Sequence, residues 1–308
     1  MIGNKLANQV MEQGVNGEAP NRLTLVDLSA PPKPKTLNSK IDSYAYDLTI
    51  DGVCSNLAKL RPDIVYFLAA VVSSAAEEDF GKAFQINVQA VLTMLEAFRE
   101  NEIQPRFIFT SSLAVYGPPF SEKVPEDMIL RPSSSYGTQK AMSEFMISDY
   151  TRKGFLDGLS LRLPTIVVRP GVPNLAASGF LSSIIREPLA GLTANLPVPV
   201  NTNVWIASPD VAVKSLLMAA GLSRSELGNT TVFNLRGLSV SVAEMIETLK
   251  NTAGQSAVSL VIPEDNPTVD RIVRSWPHDF ETTIAESFGF PRDANFGTIV
   301  EQYLAEAP

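Results

Sequence analysis

The chain has 308 residues, 45% of them hydrophobic and 19% charged, with a formal net charge of -8. That length suits one large domain or two small ones with an ample core, and an acidic balance disfavours non-specific binding to nucleic acid or anionic membranes. One cysteine, Cys54, and one histidine, His278, exclude an intrachain disulfide and a His/Cys zinc cluster and point to a reducing, cytoplasmic setting with no metal.

Apolar residues Ile2, Leu6, Val10 and Met11 recur at helical spacing up to Gly14, so the N-terminus reads as a polar-faced helix and not a signal peptide. Short apolar runs then predict strands over 23–26, ending at Asp27, and over 64–68, running into Ala69-Ala70, with another strand expected over 41–46, ending at Asp47. A long helix is expected over 77–100 and a strand over 106–110, followed by a loop rich in proline and charge over 118–132. Ser134 or Ser135 caps the next helix, and a strand over 159–168 is interrupted by Pro164. Beyond Arg169-Pro170-Gly171 the pattern loosens into helices near 176–189, 209–220, 242–250 and 294–305 with brief strands between them. No apolar run reaches the roughly 20 residues that a membrane span needs.

Strands alternating with helices, and apolar on both faces, predict an α/β fold with a doubly wound parallel sheet. Its ligand crevice lies outside the carboxyl ends of the strands, where Asp27, Asp47, Ala69-Ala70, Ser111-Ser112 and Pro164-Thr165 fall. The expected division is a dinucleotide-binding domain over 1–170 and a smaller substrate lobe over 171–308, with 230–236 rejoining the sheet.

The most informative segment is Tyr136-Gly137-Thr138-Gln139-Lys140, which sets a phenol and an ammonium on adjacent turns of one helix face. A phenol is un-ionised at neutral pH, with an ordinary pKa of about 10. A nearby ammonium favours the phenolate, and a hydroxyl from Phe109-Thr110-Ser111-Ser112 can hold the substrate oxygen. Together they form a base able to take an alcohol proton while hydride leaves its carbon, as in an NAD(P)-dependent redox enzyme.

Dinucleotide folds open with a strand and a glycine-rich loop whose backbone approaches the pyrophosphate. Here Met1-Ile2-Gly3 runs directly into a helix, and Asp27 ends the following strand. The economical expectation is that Gly3 is the last fingerprint glycine, and that the first strand and the earlier glycines are missing. Cofactor affinity would then suffer.

From Met1 to about residue 235 the chain resembles the extended short-chain dehydrogenase/reductase superfamily, which includes the NAD-dependent epimerases and dehydratases. The carriers are Leu68-Ala69-Ala70, Asn87 in Gln85-Ile86-Asn87-Val88, the run from Phe109 to Gly117, and Ser135 to Lys140. Within it, the chain is most similar to the D-erythronate dehydrogenase group. The carriers here are Leu161 to Gly171, Ile185 to Gly191, the stretch around Trp205, and the tail from Ile272 to Tyr303. That group oxidises a four-carbon sugar acid with NAD at the carbon next to the carboxylate.

The resemblance makes Tyr136 the base, Lys140 the group that lowers its pKa and holds the nicotinamide ribose, and Ser112 the substrate-oxygen donor. It assigns Asp27 to the adenosine ribose, which favours NAD over NADP. Asp47 and Leu48 then meet the adenine, Gly3, Leu68, Ala69, Ala70 and Asn87 line the dinucleotide, and Pro164, Thr165 and Ile166 border the nicotinamide. A sugar acid needs a cation for its carboxylate. Arg169 is the first candidate and Arg186 a weaker one, with Ser73, Ser74 and Asn174 placed to bond hydroxyls. The alternatives are a nucleotide-sugar epimerase with bound NAD, or a catalytically impaired truncated chain. A dehydratase is disfavoured because Ser111 and Ser112, not acidic residues, follow Thr110. The resemblance also implies a homodimer through helices near 77–100 and 134–154.

Overall fold

The computed structural model describes residues 1–35, 40–171, 177–264 and 266–306. Helix α1 (Ile2–Gln13) buries Leu6, Ala7 and Val10, as its spacing predicts, and stops at Gly14, whose φ of 71° suits a residue without Cβ. Strands β1 (Arg22–Asp27) and β2 (Lys40–Ala45) follow, then α2 (Val53–Ala58), which the sequence pattern does not mark, and β3 (Ile64–Phe67).

The single helix expected over 77–100 is broken. Its residues belong to α3 (Ser73–Glu78), α4 (Phe80–Phe84), a π-helical turn (Gln85–Gln89) and α5 (Ala90–Glu100). Asp79 causes the first break: its backbone leaves the helical region, with φ −128° and ψ 81°, and its carboxylate accepts the Lys82 N–H at 3.0 Å. A short polar side chain that bonds nearby backbone competes with helix continuation in this way.

Strand β4 (Arg106–Ser112) ends in a 3-10 turn (Leu113–Val115), and α6 (Ser135–Arg152) starts at Ser134, whose hydroxyl accepts the Gly137 N–H at 3.1 Å. Strand β5 (Asp157–Leu163) stops at Pro164, and β6 (Thr165–Ile166) leaves the main sheet. The strand expected over 159–168 is therefore two strands in two sheets. The remaining elements are α7 (Gly179–Leu189), β7 (Ala194–Leu196), β8 (Asn203–Ala207), α8 (Pro209–Gly221), α9 (Arg224–Leu227) and β9 (Val232–Asn234). After them come β10 (Leu238–Ser241), α10 (Val242–Val258), β11 (Val261–Pro263), α11 (Pro267–Arg274), α12 (Thr283–Ser287) and α13 (Phe296–Glu306).

The main sheet is parallel, in the order β3-β4-β5-β9, so residues near 231–235 do rejoin it. Alternation along β4 sorts its side chains: Phe107 and Phe109 pack toward α5 and α6, whereas Ile108 packs toward α1 and α8. Both faces are thereby covered, which is the doubly wound arrangement. Strands β1 and β2 pair in parallel with each other, and among the described residues no ladder joins β1 to β3. Among the described residues β1-β2 and β3-β4-β5-β9 are thus separate sheets.

A second core gathers Ile184, Ile206, Val242, Leu249 and Val300 from α7, β8, α10 and α13. Strand β6 joins β8 and β10 there, so Thr165 and Ile166 lie where the main sheet passes into this lobe. Lys5 of α1 bonds both Asp210 of α8 and Glu306 of α13, which ties the chain's two ends together. Among the described residues no helix is long and apolar enough to cross a membrane.

Candidate active site

The end of β4 meets the first turns of α6. Gly137 makes the approach close: a Cβ on it would lie 2.1 Å from the Ala114 carbonyl oxygen and 3.0 Å from Pro132 Cβ. This contact seats Tyr136, on the first turn of α6, beside Ser112, the last residue of β4. The Ser112 hydroxyl also accepts the Ala114 N–H at 3.2 Å, which fixes its rotamer. One turn along α6, the Lys140 ammonium donates to the Thr110 carbonyl at 2.7 Å and lies 4.4 Å from the centre of the Phe109 ring and 5.7 Å from that of Tyr136. Lys140 is buried, whereas Tyr136 and Ser112 are half-buried, and the ammonium lies behind them.

Burial dominates the electrostatics. It pushes the Tyr136 phenol up to about 12, against the pull of the Ser112 hydroxyl beside it. It pushes the Lys140 ammonium down to about 7, against the Glu144 carboxylate, which favours the charged form. The sequence expects Lys140 to lower the phenol's pKa; in this structure burial raises it, and the Ser112 hydroxyl is the group that pulls it down.

The other sequence-chosen residues fall along the same edge of the fold. Gly3 lies against Leu68, with a Cβ there only 3.6 Å from Leu68 Cδ1. Asp27 is exposed at the end of β1, where its carboxylate accepts the Leu28 N–H at 2.7 Å, and its carbonyl accepts the Tyr46 N–H at 2.8 Å. That backbone bond brings Asp27 near Asp47, whose carboxylate takes the Thr49 N–H and hydroxyl at 2.9 and 2.7 Å and is held below its ordinary pKa by them. Leu48 packs half-buried against the α2–α5 core.

Asn87 is buried, and its amide bonds the Val71 N–H at 2.8 Å, the Val71 carbonyl at 3.0 Å and the Gln139 side chain at 2.7 Å. Its polar atoms thus hold the loop that follows Ala69-Ala70 and fasten that loop to α6. Ser73 and Ser74 begin α3. Pro164 is buried, with Thr165 and Ile166 half-buried beyond it.

Arg169 donates its N–H to Ser182 at 3.0 Å, and its carbonyl takes the Arg186 guanidinium at 2.6 Å. Burial and the neighbouring Arg186 both disfavour the Arg169 charge, so an anion would relieve the site. Arg186 is itself paired with Glu187 at 2.6 Å. Asn174 lies outside the described residues.

The sequence reading missed Glu144, Arg162, Gln139 and Asn234, all buried around this site. Their signal is faint but present: Tyr136, Lys140 and Glu144 form an i, i+4, i+8 stripe on α6, polar where a helix usually turns apolar residues inward.

Residues 1–229 match the NAD dependent epimerase/dehydratase family. A D-erythronate dehydrogenase of Cupriavidus necator is 42% identical across 99% of this chain and 95% of its own length. Another D-erythronate dehydrogenase, from Haemophilus influenzae, is 37% identical across 98% of this chain and 95% of its own. A crystal structure named as the nucleoside-diphosphate-sugar epimerase from Agrobacterium tumefaciens superposes with a TM-score of 0.95 at 38% identity, covering 99% of this chain and 91% of that one.

Proposed function

The chain belongs to the NAD-dependent epimerase/dehydratase family, and we propose that it oxidises a small sugar acid, D-erythronate or a close relative, with NAD as cofactor. The observation that carries this reading is the junction of Ser112, Tyr136 and Lys140 at the end of β4, where a half-buried tyrosine and serine stand over a buried ammonium.

The residues present fit the cofactor. The exposed Asp27 carboxylate at a parallel strand end suits the ribose hydroxyls. Asp47 and Leu48 border the adenine side, and Gly3 with Leu68, Ala69 and Ala70 offers a small-residue lining. Pro164, Thr165 and Ile166 would border the nicotinamide, and Lys140 its ribose. When bound, NAD supplies the hydride acceptor.

The chain's own groups manage the proton. Ser112 donates to the substrate oxygen, and the Tyr136 phenolate takes the hydroxyl proton from the carbon next to the carboxylate. A phenol pushed up to about 12 needs positive charge beside it to ionise near neutral pH. Lys140, whose ammonium lies 5.7 Å from the centre of the Tyr136 ring, is the chain's own source of that charge. Arg169 holds the substrate carboxylate, and Ser73, Ser74 and Asn174 take its hydroxyls. Residues 1–170 act mainly as the cofactor domain and 171–308 as the substrate lobe, although α8 and β9 pack on the main sheet.

The exposed Phe80, Leu92, Met142 and Phe145, on α4, α5 and α6, suit a homodimer seated on those helices. The protein is assigned to the cytoplasm in this reading.

The similarity to the Agrobacterium protein favours a second reading, a nucleotide-sugar epimerase with bound NAD. A substrate panel separates the two. Net NADH from four-carbon sugar acids supports the dehydrogenase, whereas turnover of a nucleotide sugar without net NADH supports the epimerase.

A further inference from the structure

Behind the phenol and the ammonium lies a buried polar network for which the proton transfer has no direct use. Glu144 follows Lys140 by one turn on α6 and is buried. Its carboxylate receives the Arg162 Nε at 3.0 Å, the Arg162 Nη2 at 2.7 Å and the Ser111 hydroxyl at 2.5 Å. The Arg162 Nη1 donates to the Tyr116 hydroxyl at 2.5 Å, which donates to Asn234 Oδ1 at 3.0 Å. Ser111, Arg162 and Asn234 stand in register across β4, β5 and β9, so the network is one row of the sheet roofed by Glu144.

This row continues the active-site contacts. Three consecutive β4 residues meet three neighbouring turns of α6, though not in chain order: Thr110 takes Lys140 on its carbonyl, Ser111 bonds Glu144, and Ser112 stands beside Tyr136. Two elements held at several points along a shared stripe cannot slide or rotate against each other. The Glu144 point is made through Ser111, the residue next to Ser112, and adds to the Gly137 contact with the Ala114 carbonyl and to the Gln139–Asn87 bond. A buried ion pair is a poor source of stability, because desolvation offsets its attraction. Its value here must lie in geometry.

We propose that Glu144 and Arg162 are positioning residues for the reaction: the buried pair, through Ser111, holds α6 and β4 in the register that brings Tyr136, Ser112 and Lys140 together. The inference rests on the dehydrogenase reading for its kinetic test alone. The charged and polar groups that face Lys140 are Tyr136 and Glu144 from α6, the Thr110 carbonyl with Ser111 and Ser112 from β4, and Arg162 from β5 behind Glu144. Removing the pair takes away the carboxylate that favours the ammonium and loosens the Ser112 contact with the phenol. Both losses make Tyr136 harder to ionise.

The test uses the Glu144→Met/Arg162→Met double variant, which leaves no unpaired buried charge, and the milder Ser111→Ala. Melting, NAD affinity, kcat, KM and the pH profile of kcat are measured beside a titration of Tyr136. The titration is followed by fluorine NMR on fluorotyrosine-labelled protein, with Tyr136→Phe assigning the signal. The expected result is a folded double variant that binds NAD within two-fold of the parent, keeps KM, and loses at least ten-fold in kcat. Its Tyr136 midpoint should move upward by at least half a pH unit, with Ser111→Ala moving the same way by less. If kcat and the midpoint stay unchanged in a folded variant, the proposal is overturned. It is equally overturned if Ser111→Ala leaves both unchanged while the double variant fails to fold, since the pair would then be structural only. A parent that forms no NADH from D-erythronate defeats the dehydrogenase reading instead, and the Tyr136 titration still decides this inference.

Discussion

Gly137→Ala is the smallest change that tests how the site is assembled. The added methyl would lie 2.1 Å from the Ala114 carbonyl oxygen and 2.9 Å from its carbon. An ordinary carbon–oxygen contact is roughly 3.3 Å, so α6 must withdraw from the 3-10 turn by about 1 Å. Overpacking of this kind costs about 1–3 kcal/mol, and the better helix propensity of alanine returns at most about 1 kcal/mol. For a chain of this size the net loss lowers Tm by a few degrees, roughly 2–4 °C per kcal/mol. The kinetic effect should be larger. Tyr136 precedes Gly137 and moves with it, and a misplacement of about 1 Å can cost about 100-fold in rate. Differential scanning fluorimetry and NADH formation at saturating substrate read the two effects separately. The expected outcome is a small drop in Tm with a loss of kcat near 100-fold. A variant with kcat within two-fold of the parent would refute the claim that the α6–turn contact sets the position of Tyr136.

Further expectations follow from the electrostatics and the surface. Lys140 has a folded pKa of about 7, below its ordinary 10.5, because burial penalises the charged form. Unfolding therefore takes up a proton between those values, and the parent gains stability as pH rises from 7 toward 10.5. Lys140→Met should abolish that gain, which is on the order of 3 kcal/mol between pH 7 and 9.5; denaturant melts at the two pH values check it, and an identical gain in both proteins would contradict it. Arg169→Met should raise KM for the sugar acid at least ten-fold, with NAD affinity unchanged by calorimetry; an unchanged KM removes Arg169 from the carboxylate site. Phe145 is 65% exposed on α6, and Phe145→Asp should shift a dimer toward monomer in analytical ultracentrifugation; an unaltered dimer moves the interface elsewhere.

Much of the fold is readable from the residues because β1, β3 and β4 are short runs rich in apolar residues that end at or just before Asp27, Ala69-Ala70 and Ser112. In a parallel α/β fold those ends share one edge. The Tyr136–Lys140 spacing is equally legible, since four residues of helix fix two side chains on one face. The break at Asp79 is not, because the residues on both sides suit a helix and only a local side-chain bond to Lys82 decides against it. The departure of β6 from the sheet is also hidden: Pro164 marks an interruption but does not say that the chain continues in another sheet. The Glu144–Arg162 pair escapes because its partners are 18 residues apart and meet only through the packing of α6 on β5. The phenol's raised pKa escapes for the same reason: burial is a tertiary property that spacing along the helix does not reveal.

The most direct measurement is NADH absorbance at 340 nm with D-erythronate and NAD, for the parent and for Tyr136→Phe. The expected result is steady NADH formation by the parent and a loss of about 100-fold or more in the variant, the scale of a positioned acid–base group, with NAD affinity retained. A variant as active as the parent, or a parent that forms no NADH from any four-carbon sugar acid while converting a nucleotide sugar, would contradict it.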